Sequence, residues 1–280
     1  MIPAPFEYQR ADSLDHAIQL LGSHEDAKLL AGGHSLIPLM KLRLARPAAL
    51  IDIGRIGLSG VSDAGDHLAV GALTRHHDLE HDAVVTEHCP ILAFTAGLVG
   101  DRQVRHRGTI GGSLAHGDPA SDLPTVCLTL DARIVVKGAG GERTIAAKDF
   151  FRGFFETALE DGEIITSIQV PKVGNLGWSY IKFRQRALDW ATVGVAAVVG
   201  KDDGGIAGAR IGLTNMGQTP LRASAAEAAL SGAGPDGVAG AAEAAAEGTD
   251  PASDTYASAD FRRHLARVLT RRAVDEAMAR

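Results

Sequence analysis

Two glycine pairs share one setting: Gly32-Gly33 in AKLLAGGHSLIP and Gly111-Gly112 in RGTIGGSLAHGDPASDLPT. Each follows an apolar residue or short strand, and each leads into a small hydroxyl residue, Ser35 or Ser113. Paired glycines permit positive φ and place no Cβ in the way. Successive backbone N–H groups can then converge on an anion such as a pyrophosphate, and a helix after Gly33 adds its N-terminal dipole. The alternative is a pair of tight turns that bind nothing. Neither pair sits in a GxGxxG fingerprint, so a Rossmann dinucleotide site is not supported.

Two carboxylates, Asp118 and Asp122, follow the second pair in a proline-containing run. Together with His116 they lack a second His or Glu at metal-ligand spacing. An acid behind a phosphate cradle can instead accept hydrogen bonds from a ribityl or ribose hydroxyl. The plain alternative is a turn cap, since Asp before Pro starts turns. Arg102, Arg105 and Arg107 either reach a phosphate or form a solvated face. No Ser/His/Asp arrangement and no HExxH motif offers hydrolysis. Cys89 and Cys127 are the only cysteines and show no CxxC spacing, which excludes a cysteine-ligated cluster or zinc ribbon in this chain. They also give no disulfide framework, and both read as packing residues.

The elements that must carry these residues alternate in the first third. SLDHAIQLLGSH predicts an amphipathic helix capped by Ser13 and stopped near Gly22. AKLLAGG predicts a buried strand running into a glycine turn. IPLMKLRLARP suits a helix with Pro38 in its first turn and Pro47 past its end. ALIDIG is another short strand, which completes a small α/β unit. From Leu58 the pattern changes to a hairpin around Asp63 to Asp66, a helix near CPILAFTAGLVG, a hairpin in RIVVKGAGGERTI, and a strand in EIITSIQVP. The run RGTIGGSLAHGDPASDLPT resembles neither a helix nor a core strand. A joint falls at KVGNLG, Lys172 to Gly177. Beyond it come strands in WSYIKFRQ, WATVGVAAVV and GARIGLTN, an alanine-rich helical region broken by SGAGPDG, and a terminal amphipathic helix. On that helix Phe261, Leu265, Val268 and Leu269 share a face, and Arg262, Arg263, Arg267, Arg271 and Arg272 take much of the rest.

The chain of 280 residues is 45% hydrophobic and 22% charged, an ordinary globular composition with enough apolar residues for a sizeable core. A net charge of -6 argues against non-specific nucleic-acid binding. The start, MIPAPFEYQRADS, shows no signal peptide or lipidation motif, and no apolar run reaches spanning length. The expected location is cytoplasmic, with at most peripheral attachment to the inner face of the membrane.

The segments KLLAGGHSLIPLMKLRLARPAALIDIGRI, QVRHRGTIGGSLAHGDPASDLP and GLTNMGQTPLRA, in that order, resemble the medium, flavin-binding subunits of the molybdenum hydroxylases, with the carbon monoxide dehydrogenase branch as the nearest pattern. The resemblance covers essentially the whole chain. It implies an α+β fold: a two-subdomain flavin-binding module of the vanillyl-alcohol-oxidase type, residues 1–55 and 56–173, then a C-terminal α+β domain, 174–280, with a three-stranded sheet and helices. It implies bound FAD, with the two glycine turns around its pyrophosphate. Carried over by position, the first turn is Leu29, Leu30, Ala31, Gly32, Gly33, His34, Ser35 and Leu36. The second is Thr109, Ile110, Gly111, Gly112 and Ser113, followed by Asp118 and Asp122. Ile165 matches an apolar contact, Lys182 a basic position near the flavin, and Trp190 an aromatic position over one face of the isoalloxazine ring. Where the family reads TIGGN, position 113 is Ser, so the amide's second contact is lost.

The resemblance further implies two partner subunits. A large one holds the molybdenum cofactor and oxidises the substrate; a small one relays electrons through two [2Fe–2S] clusters. The medium subunit receives them on FAD and passes them to a quinone or other acceptor, in a dimer of heterotrimers. A related molybdenum hydroxylase acting on an N-heterocycle or an aldehyde would have a similar medium subunit. A flavin-free scaffold and a self-standing flavin oxidase are the readings from other classes, and no substrate pocket with a base beside a ring is evident for the latter.

Overall fold

The computed structural model describes residues 2–202 and 205–280. Its sheets follow one another along the chain. The first is parallel and three-stranded, with Ala49–Asp52 between Glu7–Arg10 and Ala27–Leu30. Parallel neighbours need crossovers, and the first is the helix Leu14–Ser23, whose cap Ser13 accepts from the His16 N–H at 3.1 Å. The second crossover holds the helix Leu36–Lys41, which stops well short of Pro47 because Arg43 takes φ +58°.

The second sheet is antiparallel, in the order Val61–Asp63, His67–Gly71, Ile164–Pro171, Arg133–Gly138, Gly141–Ala146. Both expected hairpins are present. Ile164–Pro171 runs through the centre, flanked on both sides, with Ile164, Ile165, Ile168 and Val170 buried. Against this sheet pack the helices Pro90–Gly97 and Asp122–Thr129, whose Ile91, Leu92, Leu123 and Val126 join Leu68, Val70, Ile134 and Ile168 in the largest apolar core. Cys89 and Cys127 lie in that core, and burial pushes both thiols up to about 12, so they are packing groups.

The C-terminal sheet is antiparallel: Gly177–Phe183, Val193–Asp202, Gly205–Thr214 and a two-residue strand, Leu221–Arg222. It thus has four strands where three were expected; the fourth is too short to leave a periodic signal. The helix Ala259–Ala279 buries Leu265, Leu269, Ala273 and Val274 against it.

Three expectations are corrected. The run 107–125 contains the whole of one helix, Ile110–His116, and the start of another, Asp122–Thr129. Thr109 Oγ1 accepts from the Gly112 N–H, Gly117 ends the turn at φ +65°, and Pro124 occupies a first-turn position that needs no N–H. These caps outweigh the low helix propensity of two glycines. The strand expected from Trp190 starts at Val193, leaving Trp190 in the preceding loop. Arg262, placed outside the apolar face, is 2% exposed, whereas Phe261, placed on that face, is exposed. Arg262 donates to the Thr192 carbonyl and, at 2.6 Å, to Asp254, so its charge is buried with a partner.

Candidate functional site

A cavity of about 1040 Å³ opens where the first glycine loop, the helix Ile110–His116 and the start of the C-terminal sheet meet. That lies at the top of the range of roughly 300–1,000 Å³ typical of cofactor and ligand sites. Both glycine segments wall it, although they are far apart in sequence. Their contact depends on missing side chains. A Cβ on Gly32 would lie 2.2 Å from the Arg107 carbonyl oxygen, and one on Gly111 would lie 2.7 Å from that of Ala72. Backbone therefore packs on backbone at both points, which only glycine permits.

The two pairs differ in what they offer. Gly33 takes φ +76°, and the first bond of the following helix runs from the Ile37 N–H to the Gly33 carbonyl. The amides of His34 to Leu36 are thus those a helix start leaves without an internal acceptor. In the second pair neither glycine has positive φ, contrary to the nest expected there. The N–H groups of Ile110, Gly111, Gly112 and Ser113 already donate to the Thr74 carbonyl, the Ala72 carbonyl, Thr109 Oγ1 and the Thr109 carbonyl. What this segment gives the cavity is a flat, Cβ-free wall and the Ser113 side chain.

On the wall beyond Ser113, Asp122 and Lys182 form an ion pair at 2.7 Å, each side chain 3% exposed. Lys182 Nζ also donates to the Leu98 carbonyl at 3.1 Å, and the Tyr180 hydroxyl donates to Asp122 Oδ1 at 2.7 Å. Tyr180 Oη and Thr214 Oγ1 stand 3.0 Å apart, and Thr214 donates to Thr125. Burial pushes the Asp122 carboxyl up, against the pull of the Lys182 ammonium. Because Asp122 is the first residue of one helix and Lys182 sits on the first C-terminal strand, the pair also ties the two halves of the chain together.

Of the residues singled out from sequence, Leu29, Ala31, Gly32, Gly33, His34, Ser35, Leu36, Thr109, Gly111, Gly112, Ser113, Asp122, Ile165, Lys182 and Trp190 line the cavity. Trp190 stands at its edge, 55% exposed. Leu30, Ile110 and Asp118 do not line it. Leu30 lies under Gly33, Ile110 is wholly buried in the large core, and Asp118 accepts from the Ala120 N–H at 2.8 Å, the turn-capping alternative. Arg105 is held by Glu80 and the carbonyls of Val99 and Gly100, while Arg102 and Arg107 are exposed. His116 lines the cavity but no metal set forms around it among the described residues. Sequence reasoning missed Phe155, Glu156 and Thr157 of the short hairpin 151–157 and His76, a buried imidazole pushed down to about 4 by burial, all on the cavity wall, and the Leu98 carbonyl and Tyr180 that hold the ion pair. Only tertiary contact marks them.

A cavity lined by a helix start, a Cβ-free wall, a buried ammonium and a half-exposed aromatic fits a dinucleotide flavin. Comparison with known proteins agrees. Residues 4–173 match the model described as the FAD binding domain in molybdopterin dehydrogenase, and 178–277 that of the CO dehydrogenase flavoprotein C-terminal domain. The chain belongs to the FAD-binding medium subunits of the molybdenum hydroxylases. It is 42% identical to the carbon monoxide dehydrogenase medium chain of Hydrogenophaga pseudoflava, over 100% of this chain and 99% of that one. A solved carbon monoxide dehydrogenase chain from the same organism superposes with TM-score 0.97 at 45% identity, covering 100% of this chain and 99% of that one. A chain of quinoline 2-oxidoreductase from Pseudomonas putida 86 does so with TM-score 0.95 at 35% identity, with 100% and 99% covered. This flavin subunit therefore has the mixed helix-and-sheet fold of that family and is the flavoprotein part of an oxidoreductase. Its cofactor is FAD.

Proposed function

We propose that this subunit is the electron exit of a carbon monoxide dehydrogenase: electrons arrive from [2Fe–2S] clusters in a small subunit and leave to a quinone. In this reading a large subunit holds the molybdenum cofactor, and the three chains pair as a dimer of heterotrimers. Carbon monoxide is favoured as substrate by the 42% identity with a carbon monoxide dehydrogenase medium chain over full length. An N-heterocycle is the second reading, favoured by the quinoline oxidoreductase chain, because this subunit keeps one fold across both substrates. We place the protein in the cytoplasm with peripheral membrane contact. Among the described residues no helix is long and apolar enough to cross a membrane.

Bound FAD supplies the ability to take electrons singly and to give them up in pairs. The chain's residues position it. In our reading the amides of His34, Ser35 and Leu36 and the Ser113 hydroxyl meet the pyrophosphate, between the backbone walls of Gly32-Gly33 and Gly111-Gly112. Asp122 keeps lone pairs beyond its bonds to Tyr180 and Lys182 and accepts from a flavin hydroxyl. Lys182 holds a positive charge against the cavity wall, Ile165 offers an apolar surface, and Trp190 covers one ring face. The segments 1–55 and 56–173 grip the cofactor from two sides, and 174–280 closes it with Lys182 and Trp190. The carrying observation is that both glycine segments, Asp122, Lys182 and Trp190 line one cavity.

The test is a visible spectrum of the natively purified complex before and after anaerobic carbon monoxide. Loss of the flavin band is the expected result. A flavin band untouched by carbon monoxide but bleached by quinoline, in a complex with an intact molybdenum centre, supports the second reading. Protein with neither flavin nor companion subunits overturns both.

A further inference from the structure

Outside the flavin cavity, three histidine rings and a carboxylate gather on two short helices. In HHDLEH, His76–His81, His77 and His81 stand four residues apart and Glu80 three from His77, so all three project from one face. Their rings are 4.4 Å apart, and His106, beyond the helix Arg102–Arg105, packs on His77 with centroids at 3.9 Å. One ligand atom each from His77, Glu80 and His81 lies within 4.8 Å of the others. None of the four residues lines the cavity.

We propose that His77, His81 and Glu80 form a binding site for a divalent ion of borderline softness, of the Zn²⁺ class. Two imidazoles and one carboxylate select such ions over Mg²⁺ and Ca²⁺, which prefer all-oxygen shells. Donors around a tetrahedral ion with bonds of about 2.0–2.1 Å stand about 3.4 Å apart, so closure takes only small side-chain rotations. The site is ready in two further respects. His81 Nδ1 donates to the His77 carbonyl at 2.9 Å, which holds its ring on the turn. Glu80 is held by Arg105 Nε at 2.8 Å, the outer partner that orients a ligating carboxylate. Arg105 in turn grips the carbonyls of Val99 and Gly100, and both residues line the cavity. An ion here clamps the helix behind that wall.

The experiment uses the full-length chain, freed of metal with a chelator, in equilibrium dialysis against Zn²⁺ alone. Saturable binding at one ion per chain is expected, weakened about tenfold or more in H77N/H81N and unchanged in H16N, which alters a histidine on the distant helix Leu14–Ser23. Co²⁺ in place of Zn²⁺ should give a visible spectrum that E80Q shifts. Circular dichroism checks the fold of H77N/H81N; if it is lost, H81N alone, at an exposed residue, carries the same comparison. Binding that H77N/H81N leaves unchanged, or no saturable binding to the wild-type chain, overturns the proposal.

Discussion

Lys182 and Asp122 meet at 2.7 Å with both side chains 3% exposed, although sixty residues separate them. One comes from the first C-terminal strand and the other from the helix that starts behind the second glycine pair. The pair is at once part of the cavity wall and a bolt between the two halves of the chain.

Asp122→Asn should therefore be more harmful than removal of both charges. It leaves the Lys182 ammonium buried without a counter-charge, a loss of about 3–5 kcal/mol. The double variant Asp122→Asn, Lys182→Met removes the orphan charge and should recover much of that stability without recovering flavin. Urea unfolding and the flavin-to-protein absorbance ratio read the two effects separately. A double variant no more stable than the single one would contradict the structural role.

The Gly32 backbone touches the Arg107 carbonyl so closely that Gly32→Ala cannot be accommodated in place. It should cost about 1–3 kcal/mol, the usual penalty of overpacking, and lower the bound flavin. Gly22→Ala is the control. It lies within the helix Leu14–Ser23 with nothing within 4 Å of the new Cβ, and should stabilise by about 0.5–1 kcal/mol. Thermal melts of both variants check the contrast.

His76 is pushed down to about 4 by burial, against an ordinary value of 6.5. Its folded form is held neutral while the unfolded chain still takes up a proton between those values. The contribution to stability is thus fully present above 6.5 and is lost as pH falls towards 4, by about 3 kcal/mol in all. Urea midpoints of wild type and His76→Gln, measured from pH 7 to 4, should converge on acidification, because only the wild type carries this term. A constant gap would refute it.

Trp190 is 55% exposed and makes little of the core, so Trp190→Phe and Trp190→Ala should leave the melting temperature nearly unchanged. If it covers the flavin ring, Trp190→Ala should lose about 0.5–1.5 kcal/mol of flavin binding and Trp190→Phe less. The change in FAD's own fluorescence on titration gives the affinities. Equal affinity in all three proteins would place Trp190 away from the ring.

The amino-acid order alone determined the elements whose signals are local. Ser13 capping its helix, the hairpin across Asp63 to Asp66, and the apolar run of EIITSIQVP each depend on residues within a few positions of one another. The proposed flavin site was legible mainly because AGGHS and TIGG combine into a family pattern; as bare glycine pairs they read more readily as plain tight turns. Only the tertiary structure decided what depends on distant partners. Thr109 and its neighbours made a helix from a run that looked like a loop, and their amides found acceptors on Thr74 and Ala72 instead of facing a phosphate. Arg262 entered the interior because Asp254 and the Thr192 carbonyl receive it there, which its helical period could not reveal. Lys182 found Asp122 for the same reason. A charge's burial is set by the partner the fold brings to it, and sequence spacing carries no record of a partner sixty residues away.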